Sequence, residues 1–291
     1  MLPERTAQSY GPAITGASKT VLLELMTALR SYRDALVLVG GWAPYFLLEE
    51  PLKTSPHVHH VGSIDIDLAV DPAKVNEPAY ATIVELLTER GYRPAEHRRG
   101  SAIPHSLDRM VSSPMTRKPY TIRVDFLTRP DEAPSRWHLP VQDDLFARKV
   151  KGCEAAFQHQ LTYQLTGVLP NGGELTVPIQ MANLVAMLTM KGIVLGERYR
   201  EKDAYDIYML VKYAGGGPAE VAQMIRPHLA DPLVQESMQQ IQRAFHKREA
   251  NGPAWVASFL VNPQFATEHQ RLLTDAFMVV SEFTTLLARS S

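Results

Sequence analysis

The sequence has one cysteine, Cys153, in 291 residues, which excludes an intramolecular disulfide and a zinc site built on several thiolates. It also lacks a charge imbalance. Thirty Lys and Arg against 31 Asp and Glu leave a formal net charge of -1, so no global field draws the chain to nucleic acid and a polyanion has to be met by a local patch. Long apolar runs are missing as well. The most apolar stretch, 184–196, is short and carries Lys191, and residues 1–18 contain no apolar signal-peptide core, so a soluble chain in the cytosol, with no membrane span, is expected. No Gly-x-Ser-x-Gly elbow, no Gly-x4-Gly-Lys-Ser/Thr loop and no internal repeat is present, which sets aside the common hydrolase, the standard NTPase and solenoid architectures.

What is present is a 45% hydrophobic composition, enough for a full core, and a hydrophobic period that changes along the chain. Leu22, Leu25, Met26, Leu29 and Tyr32 recur at helical spacing behind Ser18, which could cap that helix. The short apolar run Ala35–Val39 ends in Gly40-Gly41 and predicts a buried strand turning into a helix near Trp42. Strands are also predicted over 61–70 and 121–127, a helix over 83–90 closed by Gly91, and a hairpin of 161–168 with 174–179 across Pro170-Asn171-Gly172-Gly173. From Met181 onward the spacing is helical, with breaks at 215–218, 231–232 and 252–253. An α+β protein is expected, with a mixed sheet flanked by helices in residues 1–180 and an all-α domain in 181–291 that completes the active-site cleft.

Within Gly62-Ser63-Ile64-Asp65-Ile66-Asp67-Leu68, residues two apart on a strand share a face, so Asp65 and Asp67 project together while Ile64, Ile66 and Leu68 enter the core. Two carboxylates side by side repel, and a divalent cation removes the repulsion; oxygen ligands of this kind suit Mg²⁺ completed by substrate phosphates. Asp125 alternates with Ile122, Val124 and Phe126 and brings a third carboxylate from another strand. Three such groups can hold two metals about 3.5 to 4 Å apart, one activating an attacking hydroxyl and one bracing a leaving phosphate. Gly40 and Gly41 allow backbone to approach a phosphate at a helix start, and Ser63 lies on the carboxylate face.

Further along, Lys191, Arg198 and Lys202 fall within a narrow stripe suited to polyphosphate if one helix runs through them; if Gly196 breaks it, Asp203 is placed to cap the helix carrying Tyr205–Leu210. Between Arg90 and Arg129, nine basic residues stand against Glu96, Asp108 and Asp125, and Arg98-Arg99 is the candidate RNA contact. His57, His59 and His60 read as a solvated loop.

Val39-Gly40-Gly41, Gly62-Ser63-x-Asp65-x-Asp67 and Asp125 on a later strand together resemble the signature of the DNA polymerase beta-like nucleotidyltransferases. The stretch Lys191-x6-Arg198-x3-Lys202-Asp203-x2-Asp206 is similar to the AbiEii and MenT branch of bacterial toxins. The resemblance covers residues 36–210, with an interval from Gly41 to Asp65 longer than in the simplest superfamily members. It implies nucleotide transfer from an NTP with Mg²⁺, in a toxin-antitoxin or phage-defence setting with a cognate antitoxin, and RNA, such as the tRNA 3′ end, as acceptor. It further implies that Gly40, Gly41 and Ser63 hold the triphosphate, Asp65 and Asp67 the metals, Asp125 a position as metal ligand or base, and Lys191 a phosphate, with Arg198, Lys202 and Asp203 or Asp206 completing the distal motif. Two other functions remain open: transfer to a small hydroxylated molecule, as in aminoglycoside-modifying relatives, and a catalytically silent nucleotide-binding module.

Overall fold

The computed structural model describes residues 5–55, 57–75, 81–131, 137–197 and 201–289, and Arg198 lies outside them. The elements run α1 (Pro12–Ala28), β1 (Leu36–Val39), α2 (Trp42–Leu47), β2 (Ile66–Val70), α3 (Ile83–Thr88), β3 (Tyr92–Glu96), β4 (Ala102–Ser112), β5 (Pro119–Thr128), β6 (His138–Gln142), β7 (Leu145–Lys149), α4 (Glu154–Gln158), β8 (Gln160–Val168) and β9 (Glu174–Ala182). Helices follow: α5 (Leu184–Glu197), α6 (Glu201–Tyr213), α7 (Pro218–Ile225), α8 (Pro232–Ala244), α9 (Asn251–Leu260) and α10 (Ala266–Ala288).

The chain divides into two compact units. One takes in Gly11–Ala43 and Gly62–Ala182 and holds the sheet; the other takes in Met1–Tyr10, Pro44–Val61 and Asn183–Ser291. The sheet unit ends at Ala182. Pro44–Val61, however, belongs with the helical unit, and that excursion accounts for the long interval between Gly41 and Asp65.

In the sheet unit the strands lie in the order β3-β4-β5-β2-β1-β9-β8, with β7 pairing β5 and β6 pairing β7. β1–β9, β2–β5 and β5–β7 are parallel and the rest antiparallel, so the sheet is mixed. β1 is Leu-Val-Leu-Val, buried at every position, as a central strand covered on both faces must be. β2 buries every residue but Asp67. α1 packs across β8, β9, β5 and β4, and its Val21, Leu22, Leu25 and Met26 are buried. It starts at Pro12 behind Gly11, about two turns before the expected cap, and Ser18 is instead a buried residue inside it whose Oγ accepts a hydrogen bond from Trp42 Nε1 at 3.1 Å. The predicted strand 61–70 is shorter than expected: it begins at Ile66, and residues 61–65 are loop.

In the helical unit α5 is buried along most of its length and lies against α8. Gly192 makes that approach possible, since a Cβ there would stand 2.2 Å from Ser237 Oγ. Ser237 in turn donates to the Leu188 carbonyl at 2.9 Å. Among the described residues no helix is long and apolar enough to cross a membrane.

Candidate active site

The residues singled out in the sheet unit converge on one edge because of strand register. Val39 of β1 lies opposite Asp67 of β2, and Asp67 lies opposite Asp125 of β5. Residues opposed on neighbouring strands point to the same face, so the carboxylates of Asp67 and Asp125 are cross-strand neighbours. Gly40 follows Val39 in the left-handed region at φ +68°, and a Cβ on it would stand 2.0 Å from Asp67 Oδ2. The glycine is therefore required twice, by its backbone angle and by the carboxylate pressed against it. Asp65 sits in the loop just before β2, close enough for its charge to act on both Asp125 and Arg123. Ser63, on the same loop, is buried and donates to the Asp65 carbonyl at 2.9 Å, so its hydroxyl shapes the turn that presents Asp65.

Asp125 is partly buried, and burial raises its pKa above the usual carboxylate value; the negative charge of Asp65 pushes the same way. A hydrogen bond from Ser106 Oγ and the positive charges of Arg148 and Arg123 act in opposition. Removing a carboxylate pair from water without countercharge is costly, and a cation relieves that cost. Among the described residues no three His, Cys, Asp or Glu side chains gather as a self-sufficient metal cage. The donor set fits Mg²⁺ in the manner usual for triphosphate enzymes, a few protein carboxylates completed by substrate oxygens.

The second group of expected residues lies in the helical unit, in an arrangement the sequence did not suggest. Helix α5 ends at Glu197 and α6 begins at Glu201, so Lys191 and Lys202 stand on different helices and the expected one-helix stripe is not formed. Lys191 Nζ pairs with Asp203 Oδ1 at 2.6 Å and Asp206 Oδ2 at 2.8 Å, while Lys202 Nζ pairs with Asp206 Oδ1 at 2.7 Å. Asp203 is thus an ion-pair partner in the first turn of α6. Burial works against the charge of Lys191, but the two carboxylates outweigh it and raise its pKa. For Asp206 burial is outweighed by Lys191 and Lys202, and its pKa is lowered. Two cations and two anions balance here, enclosed in protein.

His60 joins this network. It is buried, not solvated as the triple-histidine loop was expected to be, and its Nε2 lies 3.0 Å from Asp206 Oδ1. Burial, with the two lysine charges adding, lowers its pKa to about 4, so it is neutral near pH 7 and donates its Nε2 proton to the carboxylate. His57 and His59 are exposed as expected.

The basic stretch divides on inspection. Arg109 makes two hydrogen bonds to Glu24 at 2.9 and 3.0 Å, Arg123 two to Asp108 at 3.0 and 3.1 Å, and Arg129 pairs with Asp71 at 3.1 Å. Those arginines hold the sheet unit together. Arg98 and Arg99 are exposed on the turn joining β3 and β4. Ser106 and Arg148 were not singled out in the sequence, because they lie on strands that hydrophobic alternation failed to reveal; His60 was named but set aside as a solvated loop residue, since its partner lies 146 positions away.

The family model that matches the chain defines its class, and a mixed sheet flanked by helices, with further helices after it, is consistent with it: the chain is a nucleotidyltransferase. More narrowly, it belongs to the nucleotidyl transferase AbiEii toxin family of type IV toxin-antitoxin systems, whose model matches residues 24–289. The chain is also similar to a solved structure described as the crystal structure of JHP933 from Helicobacter pylori, with 12% identity, 94% of each chain covered and a TM-score of 0.40. No curated protein matches it in sequence.

Proposed function

We propose that the chain transfers a nucleoside monophosphate from an NTP to a hydroxyl of an RNA acceptor, a tRNA 3′ end in the simplest case, as the toxin half of a toxin-antitoxin pair. The observation that carries this reading is the register of Asp67 with Asp125, with Gly40 pressed on Asp67. In the reaction the acceptor oxygen attacks the α-phosphorus, a new P–O bond forms, the bond to the bridging oxygen of the β-phosphate breaks, and pyrophosphate leaves. The hydroxyl proton passes to a carboxylate at this edge, Asp125 in our reading. Asp65, Asp67 and Asp125 would hold Mg²⁺, as one ion or two, and the metal would neutralise charge on the triphosphate and the departing pyrophosphate. Gly40 lets the turn close against Asp67, backbone N–H groups of the Gly40-Gly41 turn at the start of α2 would face the phosphates, and Ser63 fixes the loop that presents Asp65.

The distal set enters as a positioning group. Lys191, Lys202, Asp203 and Asp206 form a charge-balanced cluster with His60, and Lys191, with two of its three donors committed to Asp203 and Asp206, would have one left for a phosphate oxygen. Membership of a type IV toxin family makes a cognate antitoxin the expected protein partner, in a phage-defence or related setting.

The test is direct. Purified protein is incubated with each α-labelled NTP, Mg²⁺ and total bacterial RNA, and separately with hydroxylated small molecules. Label entering RNA, in amounts that fall steeply with salt, supports the reading. Label entering only a small molecule moves the acceptor to that class, and no transfer with any NTP points to a silent module.

A further inference from the structure

On one side β5 pairs with β2. On its other side the partner changes: β4 runs beside β5 as far as Ser106, opposite Asp125, and β7 takes over with Arg148 opposite Leu127. Asp125 therefore stands at a fork in the sheet. His105, the next residue of β4, stacks on His138 of β6, with ring centroids 4.8 Å apart and planes 24° apart, and His138 is the register partner of Arg148. Three nitrogen-bearing side chains, from three strands, come together here, and the charge of one of them, Arg148, acts on Asp125.

Two of their polar atoms are unsatisfied. His105 Nδ1 and Arg148 Nε are buried and have no hydrogen-bond partner in the protein. Leaving buried polar atoms unpaired is costly, more so for a charged group, and native folds rarely keep such atoms without a use. Arg148 also carries the positive charge that acts on both Asp125 and His105. Burial and that charge bring the His105 pKa down to about 4, so the ring is neutral and can donate from one nitrogen.

Their place across the sheet separates them from the nucleotide side. Following the strand neighbours from β1, the order is Gly40, then Asp67, then Asp125, then the fork. A triphosphate accommodated at the glycine side leaves the fork on the opposite flank of Asp125. From there the surface suits a strand of nucleic acid. The exposed Arg98-Arg99 turn precedes β4, whose Ala102 is roughly 14 Å of extended chain from Ser106. His97 lies close enough for its charge to act on His105. Trp137, adjacent to His138 in the chain, is 82% exposed, as an aromatic that stacks bases would be.

We infer that the fork of β4 and β7 is a seat for a backbone phosphate of a single-stranded nucleic-acid acceptor, with Arg148 and His105 donating to its oxygens and His138 supporting the His105 ring. The inference rests on the proposed transfer only for why the strand should end beside Asp125; the seat itself is a binding site and can be tested without turnover.

The probe is a fluorescent ten-nucleotide single-stranded RNA with a free 3′ hydroxyl, titrated against full-length Asp67→Asn protein at several salt concentrations. Adding Arg148→Gln should weaken binding about ten- to a hundredfold and flatten the salt slope by about one contact. His105→Asn should weaken it less. Arg148→Lys, which keeps a charge beside Asp125 but loses the planar fork, should recover only part of the affinity. Affinity for an NTP, measured alongside, should stay within twofold, which marks a folded sheet unit. Should Arg148→Gln fail to fold, the parent protein is titrated with RNA carrying one neutral methylphosphonate near its 3′ end, scanned by position; one position should lose about tenfold. RNA that fails to bind the parent, or binds every variant and every methylphosphonate with unchanged affinity and slope, overturns the seat. Transfer to RNA by a protein whose fork variants bind normally leaves the proposed function standing without the seat. Loss of binding in the variants, with no transfer by the native protein, does the reverse.

Discussion

Asp67 and Asp125 are opposite one another on the parallel strands β2 and β5, and Gly40 closes over Asp67 from the far side. Register alone produces this: Val39 opposite Asp67 and Asp67 opposite Asp125 set three neighbouring strands so that a glycine turn and two carboxylates share one edge. Residues 85 positions apart by way of the turn and β5 become neighbours with no contribution from local sequence beyond strand alternation.

That closeness makes Gly40→Ala an informative change. The new methyl group would meet Asp67 Oδ2 at 2.0 Å, and the backbone at φ +68° disfavours a side chain by about 1 to 2 kcal/mol. Asp67 has to move, so transfer should fall at least a hundredfold while the melting temperature falls only a few degrees. Paired activity and melting measurements check it; an active alanine variant would mean that Asp67 does not need its present position.

His60 gives a pH dependence with a defined sign. Its pKa is lowered to about 4 in the folded chain, against an ordinary value near 6.5, so between those pH values the unfolded chain holds a proton that the folded chain lacks. Stability contributed by the neutral, buried ring is therefore complete above about pH 6.5 and is lost as pH falls toward 4, by on the order of 3 kcal/mol. His60→Gln can still donate to Asp206 and does not titrate. Denaturant midpoints should drop less for this variant than for the native chain between pH 7 and 4.5, with His105 retaining part of the slope.

Lys191→Ala removes the partner of two buried carboxylates. Breaking a buried pair by deleting one member costs roughly 3 to 5 kcal/mol, so the variant should lose most of the helical unit's margin of stability. At a temperature where it remains folded, NTP affinity should be about ten- to a hundredfold lower. Calorimetry with unchanged affinity in a folded variant would confine Lys191 to the ion-pair network.

Much of this was legible in the sequence where local chemistry and final structure agree. The run 36–39 into Gly40-Gly41, the alternation around Asp125 and the hairpin across Asn171-Gly172-Gly173 all carry their own signals and form as read. β4 was not read, because its buried positions, Ile103, Ser106, Leu107 and Val111, do not alternate where its register with β3 shifts, and Arg109 is polar but satisfied by Glu24 of α1. β6 and β7 are short, and Pro140 obscures the first. With them went Ser106 and Arg148. Lys191 and Lys202 were noticed as part of a cationic stripe, Asp203 as a cap and Asp203 or Asp206 as completing the distal motif; the break between α5 and α6 turns these residues into a charge-balanced cluster, and Asp206 acquires His60 from a segment that sequence reading treated as solvent-exposed.

The central claim is that the carboxylate edge performs the transfer, and the most direct measurement is incorporation of α-labelled nucleotide into total RNA by the native chain, Asp67→Asn and Asp125→Asn under identical Mg²⁺. Each substitution removes a negative charge from a repelling pair without opening a cavity, so both variants should melt within a few degrees of the native protein and incorporate at least a thousandfold less label. Native-like incorporation by either folded variant would contradict the account.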